Sequence, residues 1–110
     1  MTQAPQTAPL VTNLELRLAY CPAEGRLYRT DPSGRPGREL SLWHAREPAF
    51  DNSDVWLPGI GYRRANRVIL YMMAGRWPVP GLVVNHIDHD VTNNKWQNLR
   101  ECTVAEALRN

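Results

Sequence analysis

Residues 83–98 read VVNHIDHDVTNNKWQN, and they hold more bases, ligands and loop-forming amides than any other stretch of the 110-residue chain. No simple hydrophobic period accounts for them. Leu82, Val83 and Val84 follow Pro80-Gly81 as branched apolar residues, which predicts a buried strand opening after a turn, with Asn85 and His86 at its end. From Asp88 to Asn94 the composition changes to Asp, His, Thr and Asn, whose short side chains bond nearby backbone and favour turns over ladders. A second short strand is expected from Leu99 to Cys102. Thr103 and, three residues on, Glu106 form a capping box that predicts a helix running to the end of the chain. The expected order is strand, polar loop, strand, helix, over about residues 82–110.

Upstream, Val68, Tyr71 and Met72 recur at helical spacing, so a helix is expected from about Arg64 to Gly75, with the glycine as its stop. Met72 and Met73 read as core. Residues 55–64 contain Pro58, Gly59 and Gly61 and suit a strand pair interrupted by a turn. Residues 31–37 are punctuated by Pro and Gly and predict a loop, residues 40–43 alternate as a strand would, and residues 45–54 show no period. His44 reads as an ordinary exposed histidine. A turn at residues 22–25 leads into a short strand at residues 26–30. Between Asn13 and Tyr20 two periods compete: Leu14, Leu16, Leu18 and Tyr20 alternate, while Val11, Leu14 and Leu18 fit one helical face. Residues 1–12, rich in Thr, Gln, Ala and Pro, predict a disordered arm, which leaves 13–110 as one domain.

Composition excludes more than it names. Two cysteines, Cys21 and Cys102, supply neither a disulfide framework nor the four ligands of a structural zinc site, so free thiols are expected. The longest apolar stretch, residues 68–74, is far below the about 20 residues of a membrane span. The first residues lack a basic start and an apolar run, so a cytoplasmic protein is expected. A net charge of +2 does not announce a nucleic-acid partner. Twelve of the 13 basic residues are Arg, whose planar fork suits phosphates and base edges, though a GC-rich genome would give the same bias.

Asn85-His86-x-Asp88, Asn93-Asn94, Asn98-Leu99-Arg100 and Thr103 together resemble the HNH endonuclease motif. Residues 20–28 (YCPAEGRLY) resemble the segment that opens many phage HNH proteins, and Arg67-Val68-Ile69-Leu70 through Gly75-Arg76-Trp77-Pro78 resembles their helix. The resemblance spans roughly residues 14–110. It implies an α+β fold: a small single domain with short antiparallel strands, a central helix and a C-terminal ββα-metal motif. It also favours a helix over residues 13–20. The implied activity is that of a phage- or homing-type endonuclease hydrolysing phosphodiester bonds in double-stranded DNA.

By the same resemblance His86 is the general base, since a neutral imidazole can take a proton from water. Asn98 ties the loop and holds His86, and Asn85 offers an oxygen to a hard divalent ion, Mg²⁺ or Mn²⁺. Asp88, His89 and Asn94 are accessory candidates. Arg63, Arg64, Arg67, Arg76, Lys95 and Arg100 are candidate DNA contacts, which would give affinity without sequence information. Asn85 and His86 are expected side by side at the lip of the hairpin, backed by the final helix. Three departures stand out. Asn66 replaces a usual His and His89 a usual Gly, and Ala107 occupies the position of a metal-binding Asn or His. The leading expectation is therefore an HNH endonuclease with an altered metal site, able to work with a partner or as a homodimer. Its rivals are an inactive HNH-derived DNA-binding or inhibitory module and, from the low net charge, a protein-interaction domain.

Overall fold

Asn13 decides the first turn of the chain, because its Oδ1 accepts the Leu16 N–H at 2.9 Å and so offers the backbone an alternative to a helix. The computed structural model, which describes residues 9–40 and 54–109, places strand β1 at Val11–Asn13 and strand β2 at Leu18–Cys21, paired antiparallel. The helix expected over residues 13–20 is thus a strand, a turn and a strand. All four residues of β2 are buried, as suits an inner strand covered on both sides. Val11 and Thr12, assigned from composition to the disordered arm, form most of β1. Most of that arm, the expected strand at residues 41–43, His44, the irregular stretch at residues 45–53 and Asn110 lie outside the described residues.

Strand β3, Arg26–Thr30, pairs with β2, and β4, Pro36–Glu39, pairs with β3, giving an antiparallel sheet in the order β1-β2-β3-β4. The turn between β3 and β4 is held by Asp31, whose Oδ1 accepts from the Ser33 N–H and hydroxyl and from the Arg35 N–H. β4 begins at Pro36, earlier than expected, which an exposed edge strand tolerates.

Strands β5, Asp54–Leu57, and β6, Gly61–Arg64, form the expected hairpin, with Val55 and Leu57 turned inward and Trp56 edge-on against Tyr62 outside. Helix α1, Ala65–Ala74, follows at once and ends on Gly75, whose φ of +78° closes it as a left-handed cap. Strands β7, Leu82–His86, and β8, Leu99–Thr103, pair antiparallel, and helix α2, Val104–Arg109, closes the described chain. The fold is α+β. Its core joins the four-stranded sheet, the β5–β6 hairpin, α1 and β8 through Leu16, Leu18, Tyr20, Leu27, Leu57, Val68, Ile69, Met72 and Leu99. Burial of each such Leu or Ile is worth about 1.5–3 kcal/mol.

Two polar ties fix the β7–β8 hairpin on this core. Asn66, buried in α1, donates from Nδ2 to the Val84 carbonyl at 3.1 Å. Arg76, just past α1, makes a two-pronged ion pair with Glu101 of β8 at 2.6 and 3.1 Å, and Glu101 also accepts the Val79 N–H at 2.9 Å. No described helix is long and apolar enough to cross a membrane.

Candidate functional site

The loop between β7 and β8 is organised by Asp88 and Asn98. The Asn98 amide accepts the Asp88 N–H at 3.0 Å, donates to Asp88 Oδ1 at 2.9 Å and donates to the Asn93 carbonyl at 2.9 Å. Asp88 also accepts the Asp90 N–H at 2.8 Å and the Asn93 side-chain amide at 2.8 Å. The bond from Asn93, seconded by the Asp90 N–H, holds the Asp88 carboxyl below its ordinary range. Both carboxylate oxygens are therefore committed to loop closure. Asn98, expected to tie the loop and hold His86, bonds through its side chain to Asp88 and Asn93, and the amide that meets His86 is that of Asn94.

His86 ends β7 and is only 5% exposed. Its Nε2 lies 2.8 Å from Oδ1 of Asn94, which is itself buried. An amide oxygen can only accept, so Nε2 is the donor of this bond, and Nδ1 is the ring nitrogen left outside it. Asn94, read from sequence as an accessory loop residue, is thus the direct partner of His86.

Asn85 and His86 do not stand side by side. In the register of the hairpin Asn85 faces Arg100 and His86 faces Leu99. Alternate residues of a strand point to opposite sides, so the imidazole shares the side of Val84 and Leu99, which pack on the core, while Asn85 and Arg100 share the other. Arg100 donates from Nη2 to the Glu106 carbonyl of α2 at 3.3 Å. The Nδ2 of Asn85 and the Nε of Arg100 are both buried and find no hydrogen-bond partner among the described residues.

A metal ion fits this second side poorly. Asn85 offers one neutral amide oxygen, Ala107 a methyl group, and Arg100 a positive charge opposite Asn85 in the ladder. Oε1 of Glu106 is taken by the cap of α2, where it accepts the Thr103 N–H at 2.8 Å and the Thr103 hydroxyl at 3.2 Å. That pair of bonds, first the one from the backbone, lowers its pKa. Among the described residues no three His, Cys, Asp or Glu side chains gather as a metal cluster.

The basic candidates divide. Arg76 is spent on Glu101, and Arg100 is half-buried against α2. Arg63, Arg64, Arg67 and Lys95 are exposed, with Arg63 also donating to the Tyr62 carbonyl at 2.7 Å. His89 is exposed at the loop with φ +66°, the left-handed region that favours glycine, which accounts for the Gly usual at this position in the resemblance. Cys21 and Cys102 are free, as expected, and both are buried.

Residues 63–109 match the family model described as HNH endonuclease. Over these residues the chain is similar to the HNH endonuclease family. No curated protein and no solved structure matches the chain. HNH nucleases generally use a divalent metal and act on DNA. The matched segment contains the β7–β8 hairpin, the tied loop and His86, and has alanine at position 107.

Besides the pairing of Asn94 with His86, sequence reading missed contacts from outside the matched segment. Tyr20 donates its hydroxyl to the Asn94 carbonyl, and the Pro22 carbonyl accepts the Trp96 N–H at 3.0 Å. Gly25, φ +76°, sits so close that a methyl there would stand 2.6 Å from both the Asn94 carbonyl carbon and the Lys95 nitrogen. The turn at residues 22–25, expected from the sequence, was the available signal, without any hint of where it docks.

Proposed function

We propose that the chain is an HNH-type endonuclease domain, of phage or homing kind, hydrolysing phosphodiester bonds in double-stranded DNA. His86 takes the proton of the attacking water, and Asn98 keeps the loop closed around it. The pairing of His86 Nε2 with Asn94 carries this reading, because an imidazole tethered through one nitrogen keeps the other as a fixed proton acceptor. Exposed Arg63, Arg67 and Lys95 are suited to phosphates of the DNA backbone.

A second reading is favoured by Ala107 and by Arg100 opposite Asn85: an HNH-derived module that binds DNA, or blocks it, without cutting. Plasmid nicking in Mg²⁺ or Mn²⁺ separates the two. The endonuclease reading expects nicking by the unaltered chain that disappears in His86→Ala. Salt-sensitive DNA binding with no nicking, and nicking gained in Ala107→Asn, would establish the second.

A further inference from the structure

We propose that the four-stranded sheet, which lies outside the HNH segment, is the positioning element for His86, with Tyr20, Gly25 and Asn94 as the positioning residues. The inference rests on the endonuclease reading for its consequence and on geometry for its substance.

Three contacts from the sheet converge on three consecutive loop residues. The fully buried Tyr20 holds the Asn94 carbonyl, the Pro22 carbonyl holds the Trp96 N–H, and Gly25 lets the turn press against the peptide between Asn94 and Lys95. The main chain of Asn94 is therefore clamped from the sheet side. Its side chain meets Nε2 of His86 at 2.8 Å. A buried amide has few ways to move when its own backbone is fixed at both flanks. The sheet thus sets the orientation of the imidazole through one intermediate residue, and Nδ1 faces the same way in every molecule.

This arrangement explains why a β2–turn–β3 segment with Tyr, Pro and Gly at residues 20, 22 and 25 accompanies the HNH segment in one chain. Tyr20 needs its ring in the core and its hydroxyl at the loop, which a residue on an inner strand at the sheet's end provides. Gly25 needs a left-handed φ and no Cβ at once, and glycine alone meets both.

The test uses the full chain and two readouts. The first is the Nε2–H proton of His86 by NMR, which a hydrogen bond to Asn94 protects from exchange. It should be observed in the unaltered chain, lost in Asn94→Ala and kept in Asn94→Asp, which preserves an acceptor. Tyr20→Phe and Gly25→Ala should speed its exchange by about tenfold or more while the amides of α1 exchange as before. The second is steady-state nicking, in which Tyr20→Phe and Gly25→Ala should lower kcat by at least about tenfold and leave KM unchanged. Ser33→Ala, in the distant β3–β4 turn, should change neither readout. Should Gly25→Ala not fold, Tyr20→Phe, one oxygen atom smaller, carries the test alone.

An Nε2–H proton that exchanges as fast in the unaltered chain as in Asn94→Ala would overturn the proposal. So would a kcat and proton untouched by both sheet variants. If no protein nicks DNA, the endonuclease reading fails, and the proton measurement still decides whether the sheet positions His86.

Discussion

His89 carries φ +66° without being glycine, and Asn98 fills three bonds with one amide; between them they show what single residues contribute to the loop. A β-branched side chain is strained in the left-handed region, so His89→Val should destabilise the chain by about 1–2 kcal/mol, whereas His89→Gly should not destabilise it, both measured by urea denaturation. The loop itself was legible in sequence because Asp, Asn and Thr side chains find partners within a few residues of themselves. The role of Asn94 was not. Its partner is fixed by which way β7 presents His86, and that depends on the register with β8. The same register overturned the expectation that Asn85 and His86 stand together.

At the scale of elements, the ends of the helices were readable and the first strands were not. Thr103 and Glu106 form the reciprocal capping box expected of them, with the Thr103 hydroxyl accepting the Glu106 N–H at 3.1 Å. Helix α2 buries no side chain completely, so this cap is a large share of what holds it. Thr103→Ala should cost about 1 kcal/mol of local helix stability, seen as faster amide exchange in α2 with α1 unaffected. Gly75 stops α1 where the periodicity said it would. Over residues 11–20, however, a helical and a strand period coexist, and pairing with β3 chose between them. Propensity within ten residues could not contain that information.

At the scale of the molecule, the Arg76–Glu101 pair joins the end of α1 to β8 and responds to acid. The bond from Arg76, helped by the Val79 N–H, holds the Glu101 carboxyl down at about 2. A carboxyl depressed in the folded state stabilises above its unfolded value and loses that stabilisation as pH falls toward the folded value. Between about pH 4.5 and 2 the unaltered chain should therefore lose more stability than Glu101→Gln, as followed by thermal melts across that range. The core that makes one unit of these elements was partly legible, since Val68, Met72 and the alternating residues of β2 and β5 were apolar at the right spacing. Which sheet covers which helix was not, because contacts between segments far apart in the chain leave no local period. Leu57→Ala, in the middle of that shared core, should cost about 2–5 kcal/mol by chemical denaturation.

The shared core has a practical consequence for anyone transplanting the HNH segment. Residues 63–109 bring Val68, Ile69, Met72 and Leu99, whose cover is Leu16, Leu18, Tyr20 and Leu27 of the amino-terminal meander. Moved into a foreign chain, the excised piece would arrive with an oily flank and with Asn94, the partner of His86, released from Tyr20. Such a chimera is expected to clump in solution unless its host supplies a lid of matching shape.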